Sequence, residues 1–194
     1  MRAGTIPTVA AGVLVLTLVS LRAADTIPAQ LSDVAFWKMI SDFSEPDGRY
    51  QYTVITSNET AYQEVLPQLT RIVAPGGVYL GVGPEQNFTY IAALQPRIAF
   101  IVDIRRDMML EHLLYKAVFE MSADRADFVR NLFSRPRPAQ LTEDSSVEAL
   151  FQAYRSASGS SEMAEANLKE ILTRLKVVHG FSLSADDERR IRSI

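Results

Sequence analysis

Apolar residues fall along this chain in two patterns. Val78–Val82 and Ile98–Val102 are short runs of strand length, whereas most other apolar residues recur at helical spacing. Val34, Phe36, Trp37, Ile40 and Phe43 define a helix over 33–43. Tyr62, Val65, Leu66 and Leu69 predict a second, running from Ser57 or Asn58 to about Val73 and kinked at Pro67. A broad stripe of Met109, Leu110, Leu113, Leu114, Ala117 and Val118 predicts a long helix over 106–121. Ser122 is the expected cap of the next helix, which reaches Phe133 and is stopped by Ser-Arg-Pro-Arg-Pro. Helices over 144–156 and 161–178 follow, the latter closing at Gly180, and Ser184 with Asp187 opens a last capped one. Tyr50–Thr56 is rich in β-formers and reads as a short strand or an extended loop. The unbroken apolar character of Ile98–Val102 is that of a parallel strand covered on both faces.

These elements predict an α/β chain: a partial parallel sheet of two to three strands, followed by a helical C-terminal half. The expected division is a strand–helix–strand region with N-terminal helices over 33–121 and a helical region over 122–194. A doubly wound sheet needs more strands than this. The sequence therefore reads as the N-terminal portion of something larger, or a shortened product.

Ahead of residue 33 the character differs. Arg2 precedes an apolar run from Val9 to Leu21, too short for the roughly 20 residues that span a bilayer and suited to a signal peptide. The expected cleavage lies after Ala23, with 24–32 as a linker and an exported mature domain; an uncleaved membrane anchor is the alternative. With 47% hydrophobic and 22% charged residues the remainder is ordinary globular material. A net charge of −3 offers no general attraction to nucleic acid or anionic lipid. The absence of cysteine excludes disulfides, thiolate catalysis and cysteine–zinc sites. His112 and His179 are far apart, and no His-Glu-x-x-His pair is present, so no metal site is expected.

Candidate chemistry concentrates where the first strand ends. Leu80-Gly81-Val82-Gly83-Pro84-Glu85 is a strand-to-helix bend, and glycine there permits unusual backbone angles or close approach of a ligand. Pro84 sits where a first helical residue would be. Asp103 ends the second strand, on the side where open α/β sheets bind ligands. The arrangement is that of a Rossmann-like half-site. A dinucleotide fingerprint would place a third glycine where Gln86 stands, and Glu85 would face a pyrophosphate. Like charges about 4 Å apart cost roughly 4 kcal/mol at an effective dielectric near 20. NAD and FAD are disfavoured; Arg105 and Arg106 leave a 2′-phosphate ligand open. S-adenosylmethionine (SAM), a phosphate-free cation, suits the carboxylates better. The cofactor-binding residues are then Gly81, Gly83, Glu85 and Asp103, with Asp103 receiving ribose hydroxyls.

Leu-Gly-Val-Gly followed by Val-Asp-Ile-Arg-Arg-Asp-Met-Met resembles the first two motifs of the class I SAM-dependent methyltransferases. Tyr79 stands where those motifs usually open on an acid, and Glu85 replaces their third glycine. The longer strings Gly-Val-Gly-Pro-Glu-Gln-Asn-Phe-Thr-Tyr-Ile and Phe-Ile-Val-Asp-Ile-Arg-Arg resemble an uncharacterised family of bacterial proteins, over roughly residues 33–180, which brings no activity. The resemblances imply a methyltransferase-like small-molecule domain of unknown substrate, with no catalytic base to name.

Alternatives stand beside this reading. The glycines can serve a tight turn alone, with Asp103 capping the next helix. Glu111 and His112, on an apolar helix, read as structural; so do Phe88 and Tyr90. Arg135 and Arg137 read as a solvated loop. Export and a cytoplasmic cofactor pull against each other. The second functional reading is therefore a non-enzymatic envelope protein that binds a partner or small molecule on the same fold.

Overall fold

The computed structural model describes residues 27–46 and 55–194. Helix α1 (Asp33–Phe43) is capped by Ser32, whose hydroxyl accepts from Ala35 N. A 3₁₀ turn (Tyr62–Val65) leads into α2 (Leu66–Ile72). Strand β1 (Val78–Val82), α3 (Gln86–Leu94) and β2 (Ile98–Val102) follow. The chain then becomes helical: α4 (Arg106–Glu120), α5 (Arg125–Phe133), α6 (Val147–Arg155), α7 (Ser161–Thr173) and α8 (Ala185–Ser193).

Three boundaries depart from the pattern of the sequence. Pro67 lies in the first turn of α2 and opens it rather than kinking a longer helix; a proline there has no intrahelical N–H to lose. The cap of α5 is Asp124, which accepts from Asp127 N at 2.8 Å. Ser122 instead donates to Val118 O, at the end of α4. Beyond α7, Arg174–Val178 form a π turn in which His179 N donates to Arg174 O at 3.0 Å. The signal-peptide segment 1–23 lies outside the described residues, as do Tyr50–Val54 of the possible third strand; Ile55 and Thr56 are not in a strand. No helix among the described residues is long and apolar enough to cross a membrane.

Strands β1 and β2 pair in parallel with Val78 opposite Ile98 and Val82 opposite Val102, joined by α3. Chain order and parallel pairing make this one βαβ unit. The expectation that both faces are covered is not met. Val78, Leu80, Val82 and Val102 share one face by alternation, and all four are exposed, Leu80 to 75%. Among the described residues, α1 reaches this side through Phe43 against Phe100. The apolar run of β2 reflects its composition, not its burial.

The principal core lies instead on α4. Leu110, Leu113, Ala117 and Val118 pack with Ile171 and Leu175, with Phe181 and Leu183, and with Ile191 of α8. Phe181 gathers the outer elements: its ring stacks on Trp37 of α1 at 5.1 Å and on His179 at 5.1 Å. Gly180, at φ +70°, turns the chain so that Phe181 enters the core directly after the π turn. His179 also bridges α1 and α4, touching Asp33 Oδ1 at 2.9 Å and Glu120 Oε2 at 2.7 Å. A smaller cluster of Ala126, Leu141, Leu150 and Tyr154 holds α5 to α6. Arg135 donates to the carbonyls of Tyr154 and Ala157, and Arg137 to Asp124 and Asp127. The segment between the prolines is thus a pinned strap, not a solvated loop.

Helix α8 is joined to α4 by an ion pair whose carboxylate is buried. Arg106 donates through Nε and Nη2 to both oxygens of Asp187, at 2.6 and 2.9 Å, and Asp187 is 1% exposed. Asp187 also completes the capping box with Ser184. Hydrogen bonds from Arg106, outweighing burial, hold its carboxyl at about 2. Its folded-state value lies below the unfolded one, so the stabilisation is complete above about pH 4 and lost as pH falls through about 2. Asp187→Ala removes the buried acceptor of the partly exposed Arg106 and the cap of α8. Its urea midpoint at pH 7 is expected to fall by the equivalent of about 2–4 kcal/mol, a charge-assisted hydrogen bond plus a helix cap. The acid limb of its stability curve should also be shallower than the parent's between pH 4 and 2.

Candidate functional site

The bend after β1 is fixed by one side chain. Asn87, 2% exposed at the start of α3, accepts from Tyr79 Oη at 2.7 Å. Its amide nitrogen faces the carbonyls of Val82, Gly83 and Pro84 at 3.1, 3.3 and 2.7 Å. Those carbonyls belong to the bend itself, so Asn87 staples the turn closed from inside. This determines Gly81: a Cβ there would lie 2.0 Å from Asn87 Oδ1. The absent side chain makes room for an internal amide, not for a ligand. Gly83 has a different role. It takes φ +83°, and its N–H donates to Val102 O at 3.2 Å, tying the bend to the end of β2.

That tie places Gly83 beside the sequence-predicted acid. A Cβ on Gly83 would stand 3.9 Å from Asp103 Oδ2. Bend and carboxylate are therefore neighbours, as the strand–turn–strand pattern implies. The carboxylate is engaged, however. Arg105 donates to Asp103 Oδ1 from its backbone N at 2.9 Å and from Nε at 3.0 Å, and Nη2 reaches Oδ2 at 3.2 Å. Burial raises the Asp103 carboxyl, but the Arg105 hydrogen bonds prevail and hold it below the usual carboxylate range. Glu85 is also occupied: both of its oxygens accept from Ser57 N, at 3.1 and 3.2 Å. Of the four residues read from the sequence, Gly83 and Asp103 meet, Gly81 serves the staple, and Glu85 anchors the segment before α2.

Beyond Asp103 a cavity of about 770 Å³ runs along β2 between α1 and α4. Phe36, Ile40, Phe43, Phe100 and Met109 give it apolar walls, while Asp103, Arg105, His112 and Lys116 supply polar groups. Its size is that of small-molecule clefts.

The polar residues of α4 are the part sequence reasoning set aside. His112 Nε2 lies 3.0 Å from Gly83 O, and a carbonyl only accepts, so Nε2 carries the proton and Nδ1 is bare. Burial lowers the imidazole's affinity for a proton despite that bond and the nearby Glu85 and Asp103. The ring is neutral, and Nδ1 is buried without a partner. Glu111 is 2% exposed, and its Oε2 has no hydrogen-bond partner. Burial, then the neighbouring Glu85, push its carboxyl up to about 7, against the pull of Arg105. Tyr115, one turn on, is pushed up to about 12 by burial and by Glu111 and Glu85. Gln86 Oε1 is a third buried acceptor without a donor. Phe88 stands edge-on to His112, Tyr115 and Phe119 and also lines the cavity. The signal was available at Met108, Glu111 and Tyr115: the i, i+3, i+7 spacing puts a carboxylate in the middle of a buried face.

Residues 54–190 match the family model described as a domain of unknown function (DUF7790). The chain belongs to this family. No curated protein and no solved structure matches it. Among the described residues, no group of three or more His, Cys, Asp or Glu side chains is arranged to hold a metal ion.

Two outcomes test this geometry. The Glu111 carboxyl is raised on folding, so the folded state binds the extra proton and stability declines as pH rises from about 4.5 to about 7. Glu111→Gln removes that penalty: it should be near-neutral at pH 5 and more stable than the parent at pH 8, by on the order of 3 kcal/mol. Thermal melts at the two pH values decide it. Gly81→Ala, by contrast, drives a methyl into the Asn87 amide. A loss of roughly 1–3 kcal/mol is expected at every pH, read by denaturant unfolding.

Proposed function

We propose that this chain is a methyltransferase-like small-molecule-binding domain whose ligand is SAM or a closely related adenosine-containing cation. The supporting observation is the proximity of Gly83 and Asp103: a bend at positive φ stands beside a strand-terminal carboxylate that lines an apolar cavity. The charges fit the group. Glu85, Asp103 and Glu111 surround the bend, and Arg105 is paired with Asp103. A pyrophosphate would meet these carboxylates; a sulfonium cation would not be repelled. When bound, SAM supplies an electrophilic methyl group on sulfur. The chain's own part is to accept ribose hydroxyls at Asp103, to house an apolar ring along β2, and to exclude water with α1 and α4.

Under this reading Arg105 competes with the ribose for Asp103. Calorimetric titration of the mature protein with SAM and with S-adenosylhomocysteine should give saturable heats. Asp103→Asn should weaken both by about 10- to 100-fold, the worth of a hydrogen bond to a charged group. Arg105→Ala should leave binding equal or tighter. Absence of heat at millimolar ligand would exclude the proposal.

A second reading draws on a separate observation. Asp103 and Glu85 already have protein donors, as expected of a scaffold. On this view the chain is a non-enzymatic exported or membrane-anchored protein that uses the same fold to bind a partner or another small molecule. It requires silence toward SAM and a protein recovered outside the cytoplasm.

A further inference from the structure

We infer that the buried polar face of α4 forms an inner subsite for a protonated amine, with Glu111 as its counter-charge. The inference rests on the small-molecule reading above and names a group of that ligand not yet accounted for, its ammonium. Three buried acceptors around one bend lack donors: Gln86 Oε1, Glu111 Oε2 and His112 Nδ1. All three belong to residues at or next to the bend. Gln86 belongs to the bend, His112 donates to Gly83 O within it, and Glu111 feels the charges of Glu85 and Arg105. An orphaned buried acceptor is costly, and three together are unusual in a folded interior. What satisfies three acceptors is a group with several N–H donors, and an ammonium carries three. The charge has the matching sign. Glu85, Asp103 and Glu111 face the bend, Arg105 is paired with Asp103, and His112 and Tyr115 are neutral. A metal ion is the poorer occupant, since no ligand cluster of that kind exists among the described residues. A sulfonium fits less well too, because it has charge but no N–H to donate. His112 also lines the large cavity, so the subsite adjoins the space where the nucleoside would lie.

In the ligand-free protein Glu111 is best protected by a proton; an ammonium takes that proton's place. The groups facing it in this exchange are Glu85, Asp103, Arg105, His112 and Tyr115. Binding therefore releases a proton below neutral pH, with no covalent step.

The test compares SAM, S-adenosylhomocysteine and adenosine by calorimetry on the mature protein and on Glu111→Gln. SAM and S-adenosylhomocysteine carry the ammonium; adenosine does not. The parent should bind both amines at least tenfold more tightly than adenosine. Glu111→Gln should lose that preference for both while holding adenosine unchanged. In the parent at pH 6, buffers of different ionisation enthalpy should report release of about one proton with either amine and none with adenosine. This proton count needs no variant, so it stands even where Glu111→Gln fails to fold. Equal affinity for all three ligands, no proton release, or a Glu111→Gln loss confined to SAM would overturn the inference and leave the nucleoside site intact. Absence of binding by all three would remove both.

Discussion

Asn87 holds three carbonyls of the bend and the hydroxyl of Tyr79 at once, and the site is built outward from that one amide. With the carbonyls of Val82, Gly83 and Pro84 drawn onto it, the chain after β1 has one path. Gly83 must take a positive φ, and its N–H then meets Val102 O. Its carbonyl points at His112, which sets that ring's tautomer. Asp103 follows one residue after Val102 and so is carried to the same place. Each step is a consequence of satisfying backbone polar groups where water does not reach.

Helix α4 connects this corner to the rest of the protein. One side of it, Leu110, Leu113, Ala117 and Val118, is the centre of the apolar core. Another side, Glu111, His112 and Tyr115, closes over the bend. Its first turn is fastened to α8 through Arg106 and Asp187. A displacement of α4 would therefore disturb the core, the ion pair and the site together. The C-terminal helices are thus supports of the corner by way of α4, which explains how the bend beside this small sheet is held in one place.

The polar groups of the corner divide into two kinds. Asp103, Glu85 and Asn87 have hydrogen-bond partners within the protein that hold the bend. Glu111 Oε2, His112 Nδ1 and Gln86 Oε1 are buried and unanswered. Strain of this kind is retained at sites that meet a ligand more often than at sites that only pack.

Much of this was legible in the linear order of residues. Strands Val78–Val82 and Ile98–Val102, the helix over 33–43, the long helix after Asp103 and the capped one at Ser184 all follow from local rules of spacing, capping and turn chemistry. The meeting of Gly83 with Asp103 also follows, because a short βαβ unit leaves strand ends side by side. What the sequence could not decide depends on long-range partners. Whether an apolar strand is covered, whether Asp103 is free or held by Arg105, and whether Glu111 faces water or a second carboxylate are set by neighbours many residues away. Local preference acts over a few residues. Burial and pairing arise only when distant segments are brought together, and those two terms decide which carboxylate already has a protein donor and which has none.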